Sequence, residues 1–238
     1  MTPTDSSWYD AEVLRVADET PCTKTFTFRL PHPVRHLPGQ HYELRLTAPD
    51  GYQAARLYSA SSAATGDDTV QLTIAHIVDG EVSPYLHHHV KVGDRVELRG
   101  PLGRSFVWNP ADAAPVLLLA GGVGVSPFRA MLQAHKQAGS KATMRLLWSC
   151  RGKEEIIFGD ELLGSPAVTV TLTRNWPPDW PGETGRITAD VVMRLLGMYP
   201  GRVMCYVCGM TSFVEAAGAL LLAAGVMPAY IRAERFGS

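Results

Sequence analysis

A chain of 238 residues is long for one small domain and short for three, so two medium domains are expected. Its 22 Lys and Arg against 23 Asp and Glu leave a formal net charge of −1 with no long run of either sign. That balance excludes whole-chain electrostatic attraction to nucleic acid or to an anionic membrane, and a hydrophobic fraction of 46% with 19% charged residues describes a soluble globular chain with a sizeable core.

The N-terminal stretch MTPTDSSWYD is polar and acidic, with neither the basic start nor the apolar centre of a secretory signal, and no run approaches 18 apolar residues. The expectation is a cytoplasmic protein that does not enter a membrane. Cys22, Cys150, Cys205 and Cys208 are then reduced thiols, and their spacing does not match the C-x4-C-x2-C of a plant-type iron–sulfur cluster. In the first half, residues 11–17, 24–30, 41–47, 56–60, 70–77 and 95–100 are short runs rich in Val, Leu, Thr and aromatics. Turn material such as LPGQ, APDG, TGDD, VDGE and KVGD separates them. Six strands at that spacing predict a six-stranded antiparallel β-barrel over residues 1–110.

The pattern changes after Asn109-Pro110. Residues 115–120, PVLLLA, form the continuous apolar run of a strand buried on both faces, and glycines lead from it into FRAMLQAHKQAG, a helix. Strands at 144–149, 168–174, 203–208 and 230–234 alternate with helices near 154–163, 188–196 and 213–224. Such alternation predicts an α/β domain with a parallel sheet over residues 111–238.

Three stretches carry the chemistry. Ala120-Gly121-Gly122-Val123-Gly124-Val125-Ser126-Pro127 joins a buried strand to a helix, the context of a phosphate-binding turn. Its glycines permit close backbone approach, Ser126 is placed to cap the helix, and Pro127 suits the first turn while replacing the third glycine of G-x-G-x-x-G. Arg56-Leu57-Tyr58-Ser59 sets an arginine for a phosphate, an aromatic for a ring face and a hydroxyl for a ring nitrogen on one strand, which is apt for a flavin, though Tyr and Ser are also ordinary strand residues. Gly80-Glu81-Val82-Ser83-Pro84-Tyr85-Leu86 reads as a turn feeding a short helix, either an N-capped surface helix or one whose free donors and Ser83 hydroxyl hold a second phosphate.

In order, these motifs, with Gly100-Pro101-Leu102-Gly103, then Tyr206-Val207-Cys208-Gly209-Met210 and Glu234-Arg235-Phe236, resemble the ferredoxin–NADP reductase superfamily. The nearest look is to bacterial stand-alone FAD-binding oxidoreductases without an iron–sulfur domain, and it covers residues 8–236. The resemblance implies that Arg56 meets the flavin pyrophosphate, that Leu57 belongs to the same strand motif, and that Tyr58 stacks on the isoalloxazine. It implies that Ser59 reaches flavin N5, and that Gly80, Val82 and Ser83 complete the FAD phosphate site. Gly121, Gly122, Gly124, Ser126 and Pro127 would receive the nicotinamide dinucleotide's pyrophosphate, and Cys208 and Gly209 would line the nicotinamide position. Glu234 matches the family's C-terminal acid, and Phe236 matches its aromatic over the flavin. Plant-type members end at that aromatic, whereas Gly237 and Ser238 follow here.

Four further features bear on specificity. Cys205 and Cys208 form a C-x-x-C, but three residues apart on a strand they face opposite sides, which argues against a disulfide. His87-His88-His89 reads as a solvated turn and not a metal site, since consecutive side chains diverge. Arg174 after Thr173 at the end of the third parallel strand, with Arg151 after the second, suits the 2′-phosphate of NADPH, with NADH as the other donor. Trp176 and Trp180 serve as a lid, a docking surface or a clamp on their own loop. The leading expectation is an enzyme that moves hydride from NAD(P)H to FAD and electrons onward to a separate ferredoxin, iron–sulfur protein or oxygenase. A stand-alone flavin reductase and a non-enzymatic electron-transfer subunit are the alternatives.

Overall fold

The computed structural model describes residues 7–237, so most of the polar leader and Ser238 lie outside the described residues. The chain divides into two compact units, one of residues 1–109 with 129–134 and one of residues 110–128 with 135–238.

In the first unit, β1 (Trp8–Thr20), β2 (Thr23–Arg29), β3 (His41–Thr47), β4 (Gln53–Ser59), β5 (Thr69–Ala75) and β6 (Arg95–Leu102) form one sheet, with α1 (Ser83–His88) between β5 and β6. The order is β4-β3-β6-β1-β2-β5, and every neighbouring pair is antiparallel. The two ends of that order meet through the Ala60–Leu72 bridge and the bond from Ser61 N–H to the Gln71 carbonyl at 2.8 Å. Strand alternation sends Phe26, Phe28, Tyr42, Leu44, Leu72, Ile74, Val96 and Leu98 into one buried cluster. Thr25 and Thr73 point the other way and are also buried. Thr25 donates to Glu19 at 2.8 Å and accepts from the Thr73 hydroxyl at 2.9 Å, and the Thr73 and Ser61 hydroxyls lie 2.8 Å apart.

In the second unit, β7 (Val116–Gly121) runs through a 3₁₀ turn, Gly122–Val125, into α2 (Ser126–Ala138). There follow β8 (Met144–Gly152), α3 (Gly159–Leu162), β9 (Val168–Asn175), β10 (Glu183–Thr184), α4 (Ala189–Leu196), β11 (Met204–Met210), α5 (Thr211–Ala223) and β12 (Ile231–Phe236). The strand order β10-β9-β8-β7-β11-β12 is parallel throughout and puts β7 in the interior, which is why residues 116–120 are all apolar. Two elements differ from the sequence expectation. The helix expected over 154–163 is broken into a 3₁₀ turn at Lys153–Glu155 and the four-residue α3, because Phe158 adopts a left-handed φ of 56° that a continuous helix cannot contain. The short β10, which the sequence does not signal, pairs Glu183 and Thr184 with Thr171 and Leu172.

Candidate functional site

On the first unit, β4 holds the Arg-x-Tyr-Ser motif in a seven-residue ladder to β3, with Tyr58 opposite Tyr42 and Ser59 opposite His41. Alternation turns Tyr58 toward the barrel, where it packs half-buried on the core cluster, and burial pushes its hydroxyl up to about 12. Arg56 and Leu57 stand exposed. Arg56 donates to Glu81 at 2.8 Å, and the Tyr52 hydroxyl donates to the other oxygen of that carboxylate at 2.6 Å. These two donors hold the Glu81 carboxyl below its ordinary range.

The turn before α1 is tight. Gly80 N–H donates to the Ile77 carbonyl at 2.9 Å, and Ile77 N–H donates to Ser83 Oγ at 3.0 Å. A Cβ at Gly80 would stand 3.1 Å from the Ile77 carbonyl oxygen and 3.3 Å from Ser83 Oγ, so the position favours glycine by space alone. Val82 is buried and supplies no side-chain cap, so α1 begins with Ser83 and Pro84 and an uncapped amide end. An arginine, a half-buried aromatic and a glycine-framed serine fit a flavin and its phosphates.

The histidine tract behind that turn needs correction. His87 is not a solvated turn residue: it is buried in α1, with Nε2 2.9 Å from the Ile74 carbonyl oxygen and its ring 5.3 Å from that of His76. His88 and His89 are exposed. Among the described residues no three His, Cys, Asp or Glu side chains are grouped to hold a metal ion.

On the second unit the glycine motif is shaped by what packs against it. A Cβ on Gly124 would lie 2.3 Å from the Cys208 carbonyl oxygen, and one on Gly121 would lie 2.6 Å from the Phe213 ring. Gly209 meets the same ring at 2.8 Å and Gly121 Cα at 3.2 Å. Strand ends β7 and β11 thus close on one another and on the Phe213 ring of α5 with no room for a side chain at Gly121, Gly124 or Gly209. Gly122 differs: nothing lies within 4 Å of its would-be Cβ, but its φ of +53° is the left-handed region. Trp148 on β8 donates its indole N–H to the Gly122 carbonyl at 2.9 Å.

Ser126 does not cap α2, the role its sequence position suggested. It is buried, it is the first residue of the helix, and its hydroxyl donates back to the Val123 carbonyl at 2.8 Å. Pro127 occupies the first turn. Cys208 faces Ala120 on one side and Glu234 on the other in the parallel register, and it is 1% exposed. Burial first, and the neighbouring Glu234 second, push its thiol well above the ordinary value, so it serves as a neutral group. Cys205 packs in the core around α4 and α5, and all four cysteines are free thiols. Phe236 ends β12 opposite Met210, and Thr211 Oγ1 donates to the Gly237 carbonyl at 2.9 Å.

At the carboxyl ends of β8 and β9 lies an open cavity of ≈ 490 Å³ lined by Lys153, Glu154, Arg174, Asn175, Trp176 and Pro177. Arg174 is exposed and Thr173 partly so. Arg151 is exposed and lies 3.7 Å from Glu155. Trp180 turns its indole N–H to the Glu183 carbonyl at 3.0 Å, which clamps its own loop, while Trp176 lines the cavity. Sequence reading missed Lys153, Glu81, Phe213 and Trp148. Only Glu81 lay inside a motif already singled out; the others act through neighbours distant in the chain.

The closed antiparallel sheet bearing Arg-x-Tyr-Ser and the parallel sheet bearing a glycine turn after an interior strand are two modules of the kind that FAD- and NAD-binding oxidoreductase domains use. The comparisons agree. Residues 10–107 match the oxidoreductase FAD-binding domain and residues 118–218 the oxidoreductase NAD-binding domain. The chain belongs to the ferredoxin–NADP reductase superfamily. It is 36% identical over 159 residues, 64% of each chain, to "Ferredoxin--NADP reductase B" of Sorangium cellulosum. It is 28% identical over 241 residues to the "Glycine betaine monooxygenase reductase subunit" of Chromohalobacter salexigens, covering 97% of this chain and 64% of that one. This chain spans 64% of the length of both curated relatives. The flavohem-like FAD/NAD-binding domain of nitric oxide dioxygenase from Vibrio cholerae superposes with a TM-score of 0.81 at 25% identity, over 97% of this chain and 99% of that one. No helix among the described residues is long and apolar enough to cross a membrane.

Proposed function

We propose that the chain takes hydride from NADPH, or less readily NADH, and passes the electrons to a separate ferredoxin, iron–sulfur protein or oxygenase. Residues 1–110 serve FAD and residues 111–238 the nicotinamide dinucleotide. FAD, when bound, accepts two electrons as hydride and gives them up singly. The observation that carries the reading is the pairing of two complementary sites in one chain, a flavin-type strand on β4 and a glycine turn after β7. The names of the relatives, a ferredoxin–NADP reductase and a monooxygenase reductase subunit, support the class of acceptor. Four free thiols fit a reducing cytoplasm.

In this reading Arg56 holds a flavin phosphate. Its pair with Glu81 joins two exposed side chains that water screens, so it holds the guanidinium only weakly. A charge-assisted phosphate contact contributes about 1.5–3 kcal/mol, so phosphate wins the guanidinium. Tyr58 supplies the ring face, Ser59 a hydroxyl at N5, and Gly80, Val82 and Ser83 the second phosphate seat. Gly121, Gly122, Gly124 and Ser126 frame the dinucleotide's diphosphate, with Pro127 opening the helix behind it. Cys208 and Gly209 give the nicotinamide a neutral, backbone-lined wall, with Glu234 beside the thiol and Phe236 over the flavin. Lys153 and Arg174 bring two cations against the single carboxylate of Glu154 to the cavity lining, with Arg151 and Thr173 at its strand ends, and that balance favours a 2′-phosphate over a bare ribose.

Rapid mixing of the FAD-loaded protein with NADPH and NADH in parallel, followed by reoxidation with ferredoxin, tests the proposal. Bleaching of the flavin band by NADPH and its recovery on adding ferredoxin are expected. A flavin that NADPH and NADH both leave oxidised would refute the donor half, and one that ferredoxin cannot reoxidise would refute the acceptor half.

A further inference from the structure

We infer that Trp148 is a positioning residue for dinucleotide binding: its indole N–H fixes the Gly122–Val123 peptide so that the Val123 N–H faces a diphosphate. The inference rests on the reading of the glycine turn as the diphosphate seat. Trp148 lies on β8 beside Ala120, two residues before Gly122, and is fully buried. A buried indole N–H needs an acceptor, and here it is the Gly122 carbonyl at 2.9 Å. In a trans peptide the carbonyl and the following N–H point in opposite directions, so a carbonyl drawn toward Trp148 directs the Val123 N–H away from it. The next carbonyl, that of Val123, is held by the Ser126 hydroxyl at 2.8 Å. No side chain caps the turn, so none competes there with a ligand.

Gly122 supports the same conclusion. Space does not demand glycine there, since a Cβ would touch nothing; the left-handed φ does. The turn therefore adopts a conformation that is locally unfavourable for other residues, and the Trp148 bond is what rewards it. Flipping the peptide would orphan a fully buried donor, so the indole holds the turn in its binding form before a ligand arrives.

The test uses the full chain loaded with FAD, with Trp148→Phe, which keeps an aromatic ring and loses the donor, and Gly122→Ala, which leaves packing untouched and disfavours the φ. Binding of NADP+ and of 2′-AMP, which carries the 2′-phosphate but no diphosphate, is measured by calorimetry. Single-turnover flavin reduction is recorded at saturating NADPH. Both variants are expected to weaken NADP+ about three- to tenfold and to bind 2′-AMP as the parent does, and Trp148→Phe is expected to keep the saturated reduction rate. NADP+ affinity at the parent level in the variants, or equal losses for NADP+ and 2′-AMP, would overturn the role of Trp148 while leaving the diphosphate seat standing. A parent protein that binds NADP+ no more tightly than 2′-AMP would overturn the diphosphate reading itself and this inference with it. If Trp148→Phe does not fold, Trp148→Met, which also removes the donor, takes its place with the same outcomes.

Discussion

Along β4 the residues assigned to the flavin are side chains on an ordinary ladder: Arg56 and Leu57 are exposed, and only Tyr58 packs on the core. After β7 the assigned residues are mostly backbone. Gly121, Gly124 and Gly209 are glycines because Phe213 and the Cys208 carbonyl occupy the space a side chain would take. A site of the first kind can lose its ligand without losing its fold, whereas in the second kind the ligand seat and the packing of the sheet are the same atoms.

The strongest way to break that contrast is Gly124→Ala. A Cβ 2.3 Å from the Cys208 carbonyl oxygen forces β7 and β11 apart, at a cost of about 3 kcal/mol. For a chain of this size that lowers the melting temperature by roughly 6–12 °C. Loss of NADP+ binding with an unchanged melting temperature would show that the glycine turn is, after all, a detachable site. Next comes Arg56→Ala, the opposite case. FAD should bind about ten- to a hundredfold more weakly, while the apo-protein's melting temperature moves by no more than about 2 °C, since the lost surface pair with Glu81 contributes little. Flavin titration by fluorescence quenching and thermal unfolding of the same sample give both numbers.

Arg174→Ala sharpens the comparison within the second unit. Arg174 is an exposed side chain beside a cavity, so it should behave like Arg56. The KM for NADPH is expected to rise about tenfold, with that for NADH and the thermal stability unchanged. Equal losses for both donors would make it structural. The smallest effect is one of pH. Burial raises the thiols of Cys150, Cys205 and Cys208 above their ordinary value of 9.0, Cys205 to about 12. Above pH 9 the unfolded chain loses these protons and the folded chain keeps them, so stability is full below that point and falls as pH rises. Urea unfolding should show a loss of about 1 kcal/mol or more between pH 8 and pH 10, reduced in Cys205→Ala. A flat profile would show that the thiols are less shielded than their burial indicates.

Local pattern explains what was legible in the sequence. The run at 116–120 betrays a strand covered on both faces, and the Arg56–Ser59 and Gly121–Ser126 motifs are short enough to read without knowing what lies across from them. Pairing at a distance was not legible. The indole of Trp148 reaches Gly122 only because β8 lies next to β7, and His87 is buried only because α1 settles on the end of β5. Likewise the break at Phe158 follows from a backbone angle, and Ile156-Ile157-Phe158 has the composition of a continuous helix or strand.

The closure of the first sheet has a kinetic side. β4 is zipped to β3 along its whole length but meets β5 through the Ala60–Leu72 bridge and the neighbouring Ser61–Gln71 bond. The seam therefore has few backbone bonds to break, and amide protons along β4 and β5 are expected to exchange with solvent through its opening sooner than those of the interior strands β6 and β1. Arg56, Tyr58 and Ser59 lie on one side of that seam, so a flavin held by them as proposed would act as a latch on the barrel and lengthen the lifetime of the closed sheet.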